Sequence, residues 1–304
     1  MSSTRPTRTT REERLRKAQA KIAAQREAER RRRRLWLAAG SLLAVVAVFA
    51  ALVIAKAAGG SHTASTTQSS GLSAADTARV VQSATTVPGP VLDTIGRGTV
   101  SNGPAAIAGA PALASGGKPE VLYIGEEWCP YCAAQRWAIV VALSRFGTFS
   151  GLGLTQSAGD DVYPNTHTFS FAKTTYSSPY LSFSAVETQD ADKKPLQTMT
   201  AEQQRLISVY DSPPYVPSSA AGGIPFLDLG GKFMISGASY SPQTLAGKSW
   251  SQIASALSDP SSAEAQGIDG SANALTAALC TLTRQQPANV CSAKGVTEAK
   301  GALK

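Results

Sequence analysis

Histidine is almost missing from this chain. Its 304 residues hold two, His62 and His167, beside four cysteines, three methionines and four tryptophans. Two histidines are too few for a His-rich metal site. A Cys–His hydrolase would have to recruit His167, which reads as a surface histidine in a polar loop. The chain also lacks a Walker A loop, a GxGxxG after a strand, an HExxH and a GxSxG. Phosphate-cradling, dinucleotide, zincin and nucleophile-elbow chemistries therefore have no sequence support.

Acidic residues are scarce where basic ones are dense. Residues 1–34 hold 13 of the 29 Lys and Arg but only 4 of the 21 Asp and Glu. That leaves 16 basic and 17 acidic residues for the rest, so the net charge of +8 belongs to a tail. A whole-chain argument for nucleic-acid binding fails. The tail has no interleaved aromatics.

Charge is then absent for 21 residues, 35–55. At the helical rise this run spans ~31 Å, the thickness of a bilayer's hydrocarbon core. The arginine block 30–34 precedes it, which predicts a cytoplasmic N-terminus and an extracytoplasmic remainder, with the basic tail against anionic lipid. The rival is a cleaved signal peptide, for which Ala55, Lys56 and Ala57 have the right look. The 34-residue leading segment and the long apolar run favour a retained anchor. The expected organisation is a basic tail 1–34, a transmembrane helix 35–56, a flexible Gly/Ser/Thr-rich linker 57–86 and a domain over 87–304. A short helix from Ser73 to Val81 is allowed inside the linker. Residues 87–115 carry faint signals.

Within the domain, residues 119–125 read as a buried strand and 133–146 as a helix. Between them stand Trp128, Cys129, Pro130, Tyr131 and Cys132. A helix N-terminus offers unpaired N–H groups and the positive end of the dipole, which favour an anion such as a thiolate. Pro130 is tolerated because the first turn has no N–H partner to lose. Residues 147–179 look like an insertion and 180–187 like a strand. A helix follows from 201 to about 210, capped by Thr198 or Thr200. Gly230 and Gly231 between apolar runs 226–229 and 232–235 signal a hairpin. One helix is expected over 241–257 and a last one over 271–283.

The strand–WCxxC–helix arrangement resembles the thioredoxin superfamily, with CPYC matching its dithiol glutaredoxin version. Ile224, Pro225 and the hairpin after them match a second element of that superfamily, a cis-proline that packs on the CxxC. More narrowly, the chain resembles a prokaryotic thioredoxin-like family known as domain of unknown function 929. The stretches from Gly117, Lys118 and Pro119 to Trp137, from Asp161 to Glu187, and Cys280 with Cys291 carry that likeness. It implies an α/β, thioredoxin-like fold with an insertion between the active-site helix and the cis-proline strand. It also implies thiol–disulfide exchange without metal or organic cofactor.

In that reading Cys129 is the exposed nucleophile and Cys132 the resolving thiol. Trp128, Pro130, Tyr131, Ile224 and Pro225 form the substrate groove, and the Ile224 backbone pairs with an extended chain. Arg136 shares the helix face of the cysteines and favours thiolate. Glu126 and Glu127 oppose it and are candidates to relay protons to Cys132. Relatives carry a buried acid six residues before the first cysteine, where this chain has Tyr123. Four cysteines allow three pairings, and local spacing favours 129 with 132 and 280 with 291. The latter pair is expected to be a structural disulfide rather than an electron relay. The expected partners are protein thiols or disulfides and a membrane oxidase or reductase. The alternative is a tethered binding or scaffold module whose CPYC is an inert bridge.

Overall fold

The computed structural model describes residues 71–304. The basic tail, the span 35–56 and the start of the linker lie outside the described residues.

Helix α1 (Ala74–Thr85) starts at an N-cap, Ser73, whose hydroxyl accepts the Asp76 N–H. It is part of the domain rather than of a tether, because Val80 and Ala84 are buried in the main core. Helix α2 (Gly89–Ile95) and two-residue strands β1 (Ala105–Ala106) and β2 (Ala114–Ser115) fill the faintly coded stretch.

Strand β3 (Lys118–Gly125) is the sheet's centre. Side chains alternate along a strand, so Val121 and Tyr123 enter one apolar cluster while Leu122 and Ile124 enter another. Helix α3 (Pro130–Ser144) follows directly. It begins three residues earlier than the pattern predicts, since Pro130 itself is the first helical residue.

The expected insertion is two small antiparallel pairs. Strand β4 (Thr148–Ser150) pairs with β7 (Thr175–Ser177), and β5 (Gly153–Gln156) with β6 (His167–Ser170). Phe169 and Phe171 are buried in the main core, so this segment is built into the domain. His167 lies on β6 and not in a polar loop. Its ring is half-buried against Trp250, 3.8 Å between centroids, and its Nδ1 is 2.7 Å from the Lys248 carbonyl.

Strand β8 (Ser182–Glu187) runs parallel to β3, with Gly125 opposite Glu187. Helix α4 (Ala201–Tyr210) is capped by Thr200 in a reciprocal box with Gln203. Strands β9 (Phe226–Leu229) and β10 (Phe233–Ser236) form the hairpin, and β9 lies antiparallel to β3. Gly230 and Gly231 turn at φ of 65° and 68°, the sign that a tight hairpin requires. The mixed sheet thus runs β1, β10, β9, β3, β8, with β2 on the start of β3.

The helix expected over 241–257 is broken. A 3₁₀ turn (Pro242–Leu245) and helix α5 (Trp250–Ala256) are separated by Gly247 at φ 71°. Helix α6 (Ala263–Leu282) starts eight residues before the expected 271. A Cβ on Gly267 would stand 2.6 Å from the Tyr240 ring, so the helix packs there only as glycine. Short helices α7 (Ala288–Cys291) and α8 (Lys294–Ala299) close the chain.

One face of the sheet is covered by α1, α3, α5 and α6, through Val80, Trp137, Ile253, Ile268 and Leu275. The other is covered by α4, through Leu206 and Tyr210 on Leu122, Ile124, Phe226 and Met234. The result is a three-layered α/β domain whose central strand delivers its C-terminal end to the start of α3.

Candidate functional site: the dithiol at the start of α3

Cys129 is the N-cap of α3. Its Sγ accepts the backbone N–H of Cys132 at 3.3 Å. Cys132 sits inside the first turn and is fully buried, and Cys129 is only 4 % exposed. The expectation of an exposed Cys129 is therefore corrected: it is buried, with the insertion on the adjoining Trp128 and Ile224 beside its sulfur. On one side Ala158 donates its N–H to the Trp128 carbonyl at 2.9 Å. On the other, Cys129 Sγ is 3.9 Å from the Ile224 carbonyl oxygen, next to the cis Ile224–Pro225 bond. Cys129 and Cys132 are unbridged.

The two thiols differ in acidity. The hydrogen bond from the Cys132 side chain holds Cys129 below the usual thiol range against its burial, with help from the Cys132 backbone N–H and Arg136. Burial pushes Cys132 well above that range, and its bond to Cys129 adds to the shift. A low-acidity inner thiol beside a more acidic outer one is the division of labour an exchanging dithiol needs.

Arg136 is not a solvated cation. It is fully buried and forms a two-pronged pair with Glu187, Nε to Oε1 at 2.8 Å and Nη2 to Oε2 at 2.7 Å. Glu187 ends β8 beside Gly125, and sequence reasoning missed it. Its register opposite Gly125 is a tertiary fact, and a lone Glu at a strand end carries no signal by itself. Arg136 Nη2 also donates to the Glu126 carbonyl at 2.7 Å.

Glu126 and Glu127, the expected candidates for proton relay, are each held by hydroxyl donors. The Glu126 carboxylate accepts from Thr188 Oγ1 at 2.6 Å. The Glu127 carboxylate is buried under the insertion, accepting from Thr155 Oγ1 at 3.1 Å and from Ser170 Oγ. Neither carboxylate is bonded to Arg136, which takes, of these two residues, only the Glu126 carbonyl.

Around the dithiol, Tyr131 is 42 % exposed, with its ring edge-on to Tyr163 at 6.2 Å. Trp128 is half-buried under Lys193 Nζ, 5.6 Å from its ring centre. Val162, next to Tyr163, is 64 % exposed. The insertion thus meets the dithiol segment at Trp128 and Tyr131, through Ala158 and Tyr163.

Far from this site Cys280 and Cys291 form a disulfide at the end of α6, with Cα atoms 5.6 Å apart. Both are buried. Among the described residues no cluster of three or more His, Cys, Asp or Glu side chains has the arrangement of a metal site.

No curated protein and no solved structure matches the chain. A family model described as a domain of unknown function (DUF929) matches residues 107–281. That stretch is more than half of the chain and contains the dithiol, Arg136, Glu187 and Pro225, which identifies the chain as a member of the DUF929 family.

Proposed function

We propose that this protein is a membrane-anchored, extracytoplasmic thiol–disulfide oxidoreductase with a thioredoxin-like domain. One observation carries the reading: Cys129 caps α3 and accepts the Cys132 N–H, beside the carbonyl that precedes cis-Pro225. The strand–dithiol–helix order and the β9–β10 hairpin after the proline support the same fold assignment. Cys129 attacks or is attacked; Cys132 closes the ring; the substrate is a cysteine-bearing extended segment lying along Ile224. A membrane oxidase or reductase recycles the dithiol.

The anchor is the apolar run 35–55. Among the described residues no helix is long and apolar enough to cross a membrane.

The test is the reduction potential of Cys129 and Cys132, measured by equilibration with glutathione or dithiothreitol. A value between about −120 and −270 mV is expected of an exchanger. A value well below about −300 mV makes the CPYC bridge structural and the domain a tethered binding module.

A further inference from the structure

Two buried hydrogen-bond donors, one on β3 and one on α3, have no acceptor among the described residues. Tyr123 on β3 is fully buried, and among the described residues its hydroxyl has no hydrogen-bond partner. A Cβ on Gly125 would meet Tyr123 Oη at 2.2 Å and Cys132 Sγ at 3.0 Å, so the hydroxyl and the sulfur converge on the same side of Gly125. Arg136 lies four residues after Cys132, which puts both on one face of α3. Its Nε and Nη2 are committed to Glu187 and the Glu126 carbonyl, while Nη1 is buried without a partner among the described residues. Its Cζ is 5.7 Å from the centre of the Tyr123 ring.

Buried donors left unpaired are destabilising, and a folded chain keeps few of them. A thiol is a weak acceptor, whereas a thiolate is an anion that takes short, charge-assisted hydrogen bonds. The acceptor missing from this pocket is the one that forms when Cys132 loses its proton.

We propose that Tyr123 and Arg136 form an anion pocket for the ionised Cys132, a positioning device for the resolving step of disulfide exchange. The inference rests on the oxidoreductase reading above. In that step the Cys132 thiolate attacks Cys129 Sγ of the mixed disulfide. The Cys129–substrate S–S bond breaks, the Cys129–Cys132 bond forms, and the substrate sulfur leaves as a thiolate that takes up the proton Cys132 gave. The dithiol is oxidised by two electrons and the substrate disulfide is reduced to two thiols. In the reverse direction the same pocket stabilises Cys132 as the leaving group.

The ionisable groups that face Cys132 are Cys129 and Arg136 on α3 and Tyr123 on β3, with Glu187 on β8 behind Arg136 and Glu127 beyond it. Burial keeps the Tyr123 phenol protonated well past its usual range, so it stays a donor throughout. Arg136 opposes the burial of the Cys132 anion.

The test uses the full-length protein. Tyr123→Phe keeps the ring and its edge-on contact with Phe171, 5.2 Å between centroids, and removes only the hydroxyl. In a Cys129→Ser background, Tyr123→Phe should move the thiolate titration of Cys132, read by absorbance, about one pH unit higher, the tenfold that one charge-assisted hydrogen bond carries. With Cys129 intact, resolution of a preformed mixed disulfide should slow roughly tenfold at fixed pH, while formation of that mixed disulfide is unchanged. The melting temperature should hold or rise, because the lost hydroxyl had no partner. Arg136→Lys, which keeps the charge and loses the fork, should shift the same titration in the same direction. If Arg136→Lys does not fold, Tyr123→Phe decides alone. An unmoved Cys132 titration with a normal resolution rate overturns the inference while leaving the oxidoreductase reading intact, and so does a lowered melting temperature that accounts for the slower rate. A wild-type protein that exchanges no disulfides removes both.

Discussion

Arg136 and Glu187 face each other across the junction of α3 and β8, with Nη2 and Oε2 2.7 Å apart and both side chains fully withdrawn from water. Taking two ions into the interior is costly, and only the two-pronged geometry and the added bond to Glu126 offset it. The pair ties the dithiol helix to the strand beside Gly125.

Removing one partner should therefore be far worse than removing both. Glu187→Gln leaves a buried guanidinium unpaired and should lower the unfolding free energy by about 3–5 kcal/mol. The double variant Arg136→Met with Glu187→Leu should recover most of that loss. Chemical denaturation of the two singles and the double measures the coupling; additive losses would mean that the pair does not act as a unit.

Asp228 gives the domain a pH dependence of definite sign. Its Oδ1 accepts the Gly231 N–H at 2.6 Å, but burial dominates and pushes its carboxyl up to about 6. An unfolded Asp titrates at about 3.9, so between about pH 4 and pH 6 the folded chain holds a proton that the unfolded chain has lost. Stability contributed by this group is complete below about pH 4 and is lost as pH rises through about 6, by roughly 2–3 kcal/mol. Asp228→Asn should be the more stable form at about pH 7.5 and should flatten the profile in that window, as followed by thermal melts across pH.

The unequal thiols predict unequal trapping. Cys132→Ser should accumulate mixed disulfides through Cys129, because the resolving thiol is gone. Cys129→Ser should accumulate few, because Cys132 is fully buried. Pro225→Thr should lengthen the life of the trapped species. Non-reducing gels after acid quenching report all three, and equal trapping by the two cysteine variants would contradict the assignment.

The Cys280–Cys291 disulfide joins residues 11 apart and holds α7 against the end of α6. Closing so short a loop stabilises a fold by roughly 2–3 kcal/mol. Replacing both with Ala should lower the melting temperature and leave dithiol exchange near normal below it. A retained melting temperature with lost turnover on a protein substrate would instead make the pair an electron relay.

The proposed anchor has its own test. Arg8→Cys should be shielded from an impermeant thiol reagent in intact cells, and Thr66→Cys should be labelled. Reversed labelling, or a soluble product beginning near residue 58, would remove the anchor.

Much of this protein is local and so was legible in its residues. The buried strand at 119–125, the Gly230–Gly231 turn, the Thr200 cap and the dithiol at a helix start each depend on neighbours within a few positions. Other features depend on residues far apart in the chain, and only the fold decided them. Helical spacing sets Arg136 on the face of the cysteines, and it is a buried ion only because β8 brings Glu187 to it from 51 residues away. Cys129 is buried by the fold, and the insertion that adjoins it at Trp128 is rooted in the core by Phe169 and Phe171. The last helix is expected from 271, yet α6 extends back to 263, where Tyr240 packs against Gly267. Periodicity and capping are written within one turn of chain; burial and ion pairing are settled by which elements the sheet order sets side by side.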